Sequence, residues 1–471
     1  MCLFCHLTNV VTAAMLSASE FQFGIHRVKG DFMRHTKVLT AAIAVVLGTI
    51  GITGCSSSGS ASTGKVAGAG TGKVTLNYWA WAPGSAQEVA EFNKTHTDIH
   101  VNYTNAGGGP QSSAKLLTAV RAGNAPDLSL VEDTSMPRMV VSGAPLDITN
   151  YVKDVKNNFS EGSWAQTTFS GHTFGIPQDV GPMALLYRKD VFEKYGLSAP
   201  KTWQDWKNDA ATIKAKNPNL IMASLSTDGW GWYAAVAAQA GDNWWTVNKD
   251  GSWNVNIDGK GSRDVMNFFQ GMYNDHLIVA DPILNPTYNQ ELNDGTMLSW
   301  PSAVWAPGVI EGVAPSTNGK WALAPLPEWN AGDPTVSFQG GSSVIVVKTS
   351  KYPEQAAEFA KWLDASATGA KLILNVQNGY PAALSGQEAA AQQKPPALMP
   401  QQTDYYSIVQ QIDKHTSAVT WGPDTDIAQS AFTDAMDTAV QNHTSWAAAL
   451  TATQKAVVAD MKQQGFKVTE G

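Results

Sequence analysis

Val74-Thr75-Leu76-Asn77-Tyr78-Trp79-Ala80 is an apolar run rich in β-branched and aromatic residues, the composition of a strand. Pro83-Gly84 follows and starts a helix over residues 85–93. Ile99-His100-Val101-Asn102-Tyr103 alternates apolar with polar and reads as a second strand. Gly107-Gly108-Gly109-Pro110 breaks the chain, a helix runs over 112–122, and Asp127-Leu128-Ser129-Leu130-Val131 is a third strand. Strands and helices alternate at the spacing of βαβ units, which predicts an α/β fold on a mainly parallel sheet.

The alternation continues outward from this stretch. Residues 184–187, 297–300 and 343–347 read as strands. Residues 203–216, 231–239 and 262–274 read as helices, with a hairpin of 254–259 about Asp250-Gly251 between the last two. From Pro353 the chain is mostly helical, and 389–400 is an Ala/Gln/Pro-rich connection. No internal repeat stands out.

Toward the N-terminus, Met33-Arg34-His35-Thr36-Lys37 precedes an apolar run ending in Ile52-Thr53-Gly54-Cys55. A basic segment, an apolar segment and small residues at the cleavage point make a secretory signal. The run is near the lower limit for spanning a membrane and is followed by Ser and Gly, so a signal is favoured over an uncleaved anchor. Its end resembles a bacterial lipobox. That resemblance implies lipidation of Cys55, which becomes the mature N-terminus of an extracytoplasmic protein anchored to the cell membrane. Residues 1–54 are then the signal region, with translation starting at Met33. Residues 55–72 follow on: beyond Cys55 they are Ser, Gly, Ala and Thr but for Lys65 and Val66, a flexible tether with a reach of about 20–25 Å.

The chain beyond the signal is long enough for two domains with substantial cores. Of the three cysteines, Cys2, Cys5 and Cys55, one survives cleavage, so no disulfide forms within the mature chain. A net charge of −8 argues against nucleic-acid binding. Seventeen tryptophans, all after Cys55, are either core filler or ligand platforms.

Four groups of residues carry a family resemblance. Gly123-Asn124-Ala125-Pro126-Asp127 is followed by Gly143-Ala144-Pro145-Leu146-Asp147. Gly175-Ile176-Pro177 is followed by Leu186-Tyr187-Arg188-Lys189-Asp190-Val191-Phe192. Gly196-Leu197-Ser198-Ala199-Pro200-Lys201-Thr202-Trp203 comes third. Gly340-Gly341-Ser342 precedes Pro353-Glu354-Gln355-Ala356-Ala357-Glu358-Phe359. In order and spacing the set resembles the extracellular solute-binding proteins, family 1, of ABC sugar importers (the maltose-binding type). Arg188 departs from the pattern, where the family often has Asn. The resemblance implies a two-lobe periplasmic-binding-protein-like fold, with discontinuous lobes joined by a hinge and ligand in the interlobe cleft. The lobes would be 73–182 plus 337–386, and 183–336 plus 387–471. It implies no enzyme activity and no cofactor. Its partners would be a carbohydrate, membrane-embedded permease subunits and the lipid anchor, with the protein itself a monomer.

A sugar presents an apolar C–H face and a rim of hydroxyls, so its site needs aromatic faces with polar groups at their edges. Trp81 after the first strand, and Glu132 and Asp133 after the third, are candidates by position. Asp179 follows Gly175-Ile176-Pro177-Gln178, a cleft position in the family. Trp230, Trp232 and Tyr233 sit beside glycines at a helix start, while Trp300 and Trp305 flank Pro301 after a strand. Gly341 and Ser342 would let backbone approach the ligand, Tyr380 precedes Pro381, and Trp421 lies between helices where the family often stacks a sugar. Trp203, Trp206, Trp362 and Trp446 have apolar helical neighbours and read as core.

Other chemistries leave weaker traces. The sequence has no Gly-x-Ser-x-Gly and no His-Glu-x-x-His, and its histidines are scattered. Asn254-x-Asn256-x-Asp258-Gly259 starts like a calcium loop but has Val265 where Glu is required. A secreted, anchored glycoside hydrolase stays open as the alternative, because paired carboxylates leave no local motif.

Overall fold

The computed structural model describes residues 73–471 apart from Asn378. The signal region, Cys55 and the tether lie outside the described residues.

Strand β1 (Val74–Ala80) buries Val74, Leu76, Tyr78 and Ala80 on one face, as its alternation requires. Helix α1 (Ser85–Thr95) returns the chain to β2 (Ile99–Asn105), parallel to β1. Helix α2 (Gly109–Ala122) ends on Gly123 in the left-handed conformation and leads to β3 (Leu128–Glu132), also parallel to β1. This part follows the sequence reading closely.

The sheet as a whole does not. Beyond β3 it is mixed rather than mainly parallel. Strand β4 spans Ile176–Arg188, far longer than the four residues expected, and β5 (Ser299–Ala303) and β6 (Trp321–Pro325) pair with it antiparallel. Strand β7 (Val336–Val346) runs between β4 and β3, antiparallel to both. The order is β6-β4-β7-β3-β1-β2, with β5 also on β4 and a short strand, Thr416–Ser417, on β7.

Strand β4 changes partners midway. Ile176–Val180 pairs with β7 beside β3, whereas Met183–Arg188 pairs with β5 and β6. The protein is thus two lobes with β4 and β7 running through both. At the crossing β7 shifts register between Phe338 and Gly341, where Gly340 and Gly341 both have positive φ. Opposite them Gly181 has no room for a side chain: a Cβ there would overlap the Gln339 carbonyl oxygen.

The second lobe is helix-rich. Helix α3 (Trp203–Lys216) starts with a capping box, in which Thr202 and Asp205 satisfy each other's backbone N–H groups. Its Trp203 and Trp206 are fully buried and meet edge to face at 5.5 Å, with Phe269 5.1 Å from Trp203. Helix α4 (Trp230–Gln239) packs on α5 (Lys260–Asn274) and on α6 (Thr425–Gln441), which pairs with α7 (Ala447–Gln463). The hairpin turns at Asp250-Gly251 as expected, but its strands are Trp245–Val247 and Trp253–Val255. Trp446 is buried, and Trp362 is half-buried against Phe92 at 5.2 Å. Among the described residues no helix is long and apolar enough to cross a membrane.

Candidate functional site

A cavity of about 500 Å³ opens between the lobes. That volume is in the range of small-molecule sites. From the first lobe it takes the end of β3 and the short helix Met136–Val141. From the second it takes the segment 224–229 and the start of α4, Trp300 and Pro301 of β5 with Trp305 just after it, and the start of α6. Gly340, at the β7 register shift, forms part of its floor.

Seven of the expected site residues meet on its wall: Glu132, Trp230, Trp232, Tyr233, Trp300, Trp305 and Trp421. The indoles are held by contacts behind them. Trp232 donates to the Pro301 carbonyl at 2.9 Å, and Trp305 to the Gln339 carbonyl at 2.9 Å. Trp230 and Trp421 meet edge to face at 5.4 Å, and Trp300 and Trp305 at 5.8 Å. Trp230, Trp232, Trp300 and Trp421 are otherwise buried and show only part of each ring to the cavity, while Trp305 is half-buried.

The other six are elsewhere. Trp81 is half-buried against the core and lies off the cavity wall. Asp133 and Asp179 lie beneath the floor, where Ser343 donates to Asp133 at 2.6 Å and Ser342 donates to Asp179. Gly341 and Ser342 belong to that same layer, one step from Gly340. Tyr380 lines a separate cavity of about 220 Å³; Val304 lines this one while its neighbour Trp305 lines the larger.

Sequence reasoning missed Arg138, Ser224, Ser226, Asp228, Gln339 and Asp426, which also line the cavity. Ser226 donates to Asp228. The polar run Ser224-Leu225-Ser226-Thr227-Asp228, directly before the Trp230 helix, was a readable signal. Arg138 and Asp426 left none, being far apart in the chain.

The electrostatics are acidic and sheltered. The Glu132 carboxyl sits against Gly109 at the start of α2, where any Cβ would overlap it. Burial pushes Glu132 up to about 7, nearby Asp179 adds to the rise and Thr134 opposes it. Burial likewise lifts Asp133 to about 8 and Asp179 to about 6, against the hydroxyls of Ser343 and Ser342. Glu88 is raised to about 7 by burial, against a hydrogen bond from Gln377. Near neutral pH Glu132 and Asp133 are protonated for part of the time, whereas Asp179 is largely ionised, so the group can both donate to and accept from hydroxyls. Arg138 is the one basic side chain on the wall among the described residues, and it is paired with Asp426 at 2.6 Å. Indole edges and part-faces rimmed by carboxyl and hydroxyl groups suit a neutral polyhydroxylated ligand better than an anion.

The family model for bacterial extracellular solute-binding proteins matches residues 79–370. An arabinooligosaccharide-binding protein of Bacillus subtilis (strain 168) is 25% identical over 347 residues, covering 71% of this chain and 77% of the relative. The sn-glycerol-3-phosphate-binding periplasmic protein of Pectobacterium atrosepticum is 33% identical over 152 residues, 30% of this chain and 33% of the relative. Among solved structures, the ABC transporter associated binding protein of B. animalis subsp. lactis Bl-04 in complex with beta-1,6-galactobiose is similar. Its TM-score is 0.74 at 25% identity, covering 84% of this chain and all of that one.

Proposed function

We propose that this chain, which belongs to the bacterial extracellular solute-binding proteins, captures a neutral oligosaccharide outside the membrane and delivers it to an ABC permease. The observation that carries this reading is the cavity between the lobes, walled by Trp230, Trp232, Trp300, Trp305 and Trp421. It accords with the oligosaccharides named for the Bacillus relative and the galactobiose complex. A relative named for sn-glycerol 3-phosphate poses the main alternative ligand. The wall argues against it, because its lone guanidinium is engaged by Asp426, Asp228 brings a further carboxyl group, and Glu132 supplies no cation.

In this reading the lobes are 73–182 plus 337–386 and 183–336 plus 387–471, and they close over ligand about the β4–β7 crossing. Cys55 carries the lipid that holds a monomeric, extracytoplasmic protein at the cell membrane, and the tether lets it reach the permease. The protein binds sugar without consuming it. Intrinsic tryptophan fluorescence titrated with arabinotriose and beta-1,6-galactobiose should shift and saturate, since five indoles line the site. Prolonged incubation should release no reducing sugar. A flat titration with folded protein would remove the sugar reading, and steady hydrolysis would replace it with a glycosidase.

A further inference from the structure

Arg138 and Asp426 come from separate lobes. Arg138 lies on the helix Met136–Val141, which follows β3 through a turn packed on β7. Asp426 lies in the first turn of α6, where the helix dipole favours a carboxylate. Helix α6 packs on α7 and α4 in the second lobe. Arg138 Nη1 and Asp426 Oδ2 are 2.6 Å apart, and both side chains stay partly exposed at the rim of the cavity. The pair therefore bridges the two lobes beside the cavity.

A second carboxyl group stands behind the first. Asp424 is 1% exposed, and neither of its carboxylate oxygens has a hydrogen-bond partner. Burial raises Asp424 to about 7, Asp460 adds to the rise, and the Arg138 charge opposes it. Arg138 thus faces an acidic turn rather than a single residue.

An exposed ion pair within one rigid body contributes little to stability. A pair between two moving bodies acts differently. It is complete only when the lobes are together, so its whole free energy enters the balance between open and closed states. We propose that Arg138 and Asp426 form a charge latch between the lobes, which holds the closed state and prolongs the residence of bound ligand. The proposal rests on the two-lobe capture function above and goes beyond it in assigning the pair to residence time rather than to ligand contact.

The test is stopped-flow tryptophan fluorescence on the full chain, with beta-1,6-galactobiose and arabinotriose as probes. Arg138→Asp and Asp426→Arg each set like charges face to face. Each should raise the dissociation rate by about fivefold or more, with the association rate unchanged or raised, because loss of the latch favours the open state that admits ligand. The double variant carrying both changes restores opposite charges, and its dissociation rate should return to within about twofold of the original. Raising salt to 1 M should speed dissociation from the unaltered protein and leave an Arg138→Ala variant unaffected. Unchanged rates in the single variants, or no rescue in the double variant, would overturn the latch; the second result would make Arg138 a ligand contact. If neither sugar binds the unaltered protein, the capture reading fails on its own. The latch is then read by small-angle scattering at low salt. The unaltered and double-variant proteins should share a compact population that both single variants lose, and four identical profiles would overturn it.

Discussion

Replacing Trp421 with Ala separates a ligand platform from a wall support. Trp421 is 5% exposed, lines the cavity and meets Trp230 edge to face at 5.4 Å. Truncation removes two things. The first is packing: a fully buried Trp→Ala change costs about 3–5 kcal/mol of stability, and the lost aromatic pair accounts for about 0.5–1.5 kcal/mol of that. The second is the part of the ring offered to ligand. Truncating an aromatic anchor in a desolvated pocket costs about 2 kcal/mol or more of binding, which is a factor of about 30 in Kd. Calorimetric titration with beta-1,6-galactobiose, well below the variant's Tm, measures binding apart from folding. Trp446→Phe is the control. That ring is 1% exposed, packs on Tyr273 at 5.3 Å and lies off the cavity wall, so the change should lower Tm and leave Kd alone. If Trp421→Ala lowers Tm but leaves Kd within about twofold, Trp421 only supports the wall and the stacking argument is wrong.

Gly181→Ala should destabilise the protein by about 1–3 kcal/mol or more, seen as a lower Tm, because the added methyl overlaps the Gln339 carbonyl where β4 crosses β7. An unchanged Tm would mean that the crossing is looser than the geometry shows. Stability should fall as pH rises from about 4.5 to about 8. Glu88, Glu132, Asp133 and Asp179 keep their protons in the folded state over a window in which the unfolded chain releases them. Thermal melts should therefore give a higher Tm at pH 5 than at pH 8, with a weaker dependence in Asp133→Asn; a Tm that climbs over this window would contradict the burial argument. Cys55→Ser should release soluble protein that still binds sugar, checked by cell fractionation and fluorescence titration; loss of binding would give Cys55 a part in the fold.

The first three strands were legible because each alternates or clusters apolar residues over a complete run, closed by Pro83-Gly84 after the first, by Gly107-Gly108-Gly109 after the second, and opened by Gly123-Asn124-Ala125-Pro126 before the third. Strand β4 was not. Pro177, Gly181 and Pro182 interrupt its pattern, and only the different partners on its two halves keep it extended. The mixed sheet was hidden for a related reason. A strand's direction depends on where a long connection returns, and β7 comes back between β4 and β3 after more than a hundred residues. At the candidate site, Trp230 and Trp232 were readable because large indoles beside glycines at a helix start suit a cleft better than a core, whereas Trp421 was reached only through the family resemblance. Trp81 was chosen by its position after the first strand and lies off the wall. Arg138 and Asp426 meet only through the lobe arrangement, which no local pattern encodes.

The central claim is capture of a neutral sugar in the indole-walled cavity. Isothermal titration of the full chain with arabinotriose, beta-1,6-galactobiose and sn-glycerol 3-phosphate tests it most directly. The account predicts saturable binding of at least one of the two sugars, abolished or strongly weakened by Trp421→Ala, and no binding of the phosphate ester. Tight binding of sn-glycerol 3-phosphate with no response to either sugar would contradict it.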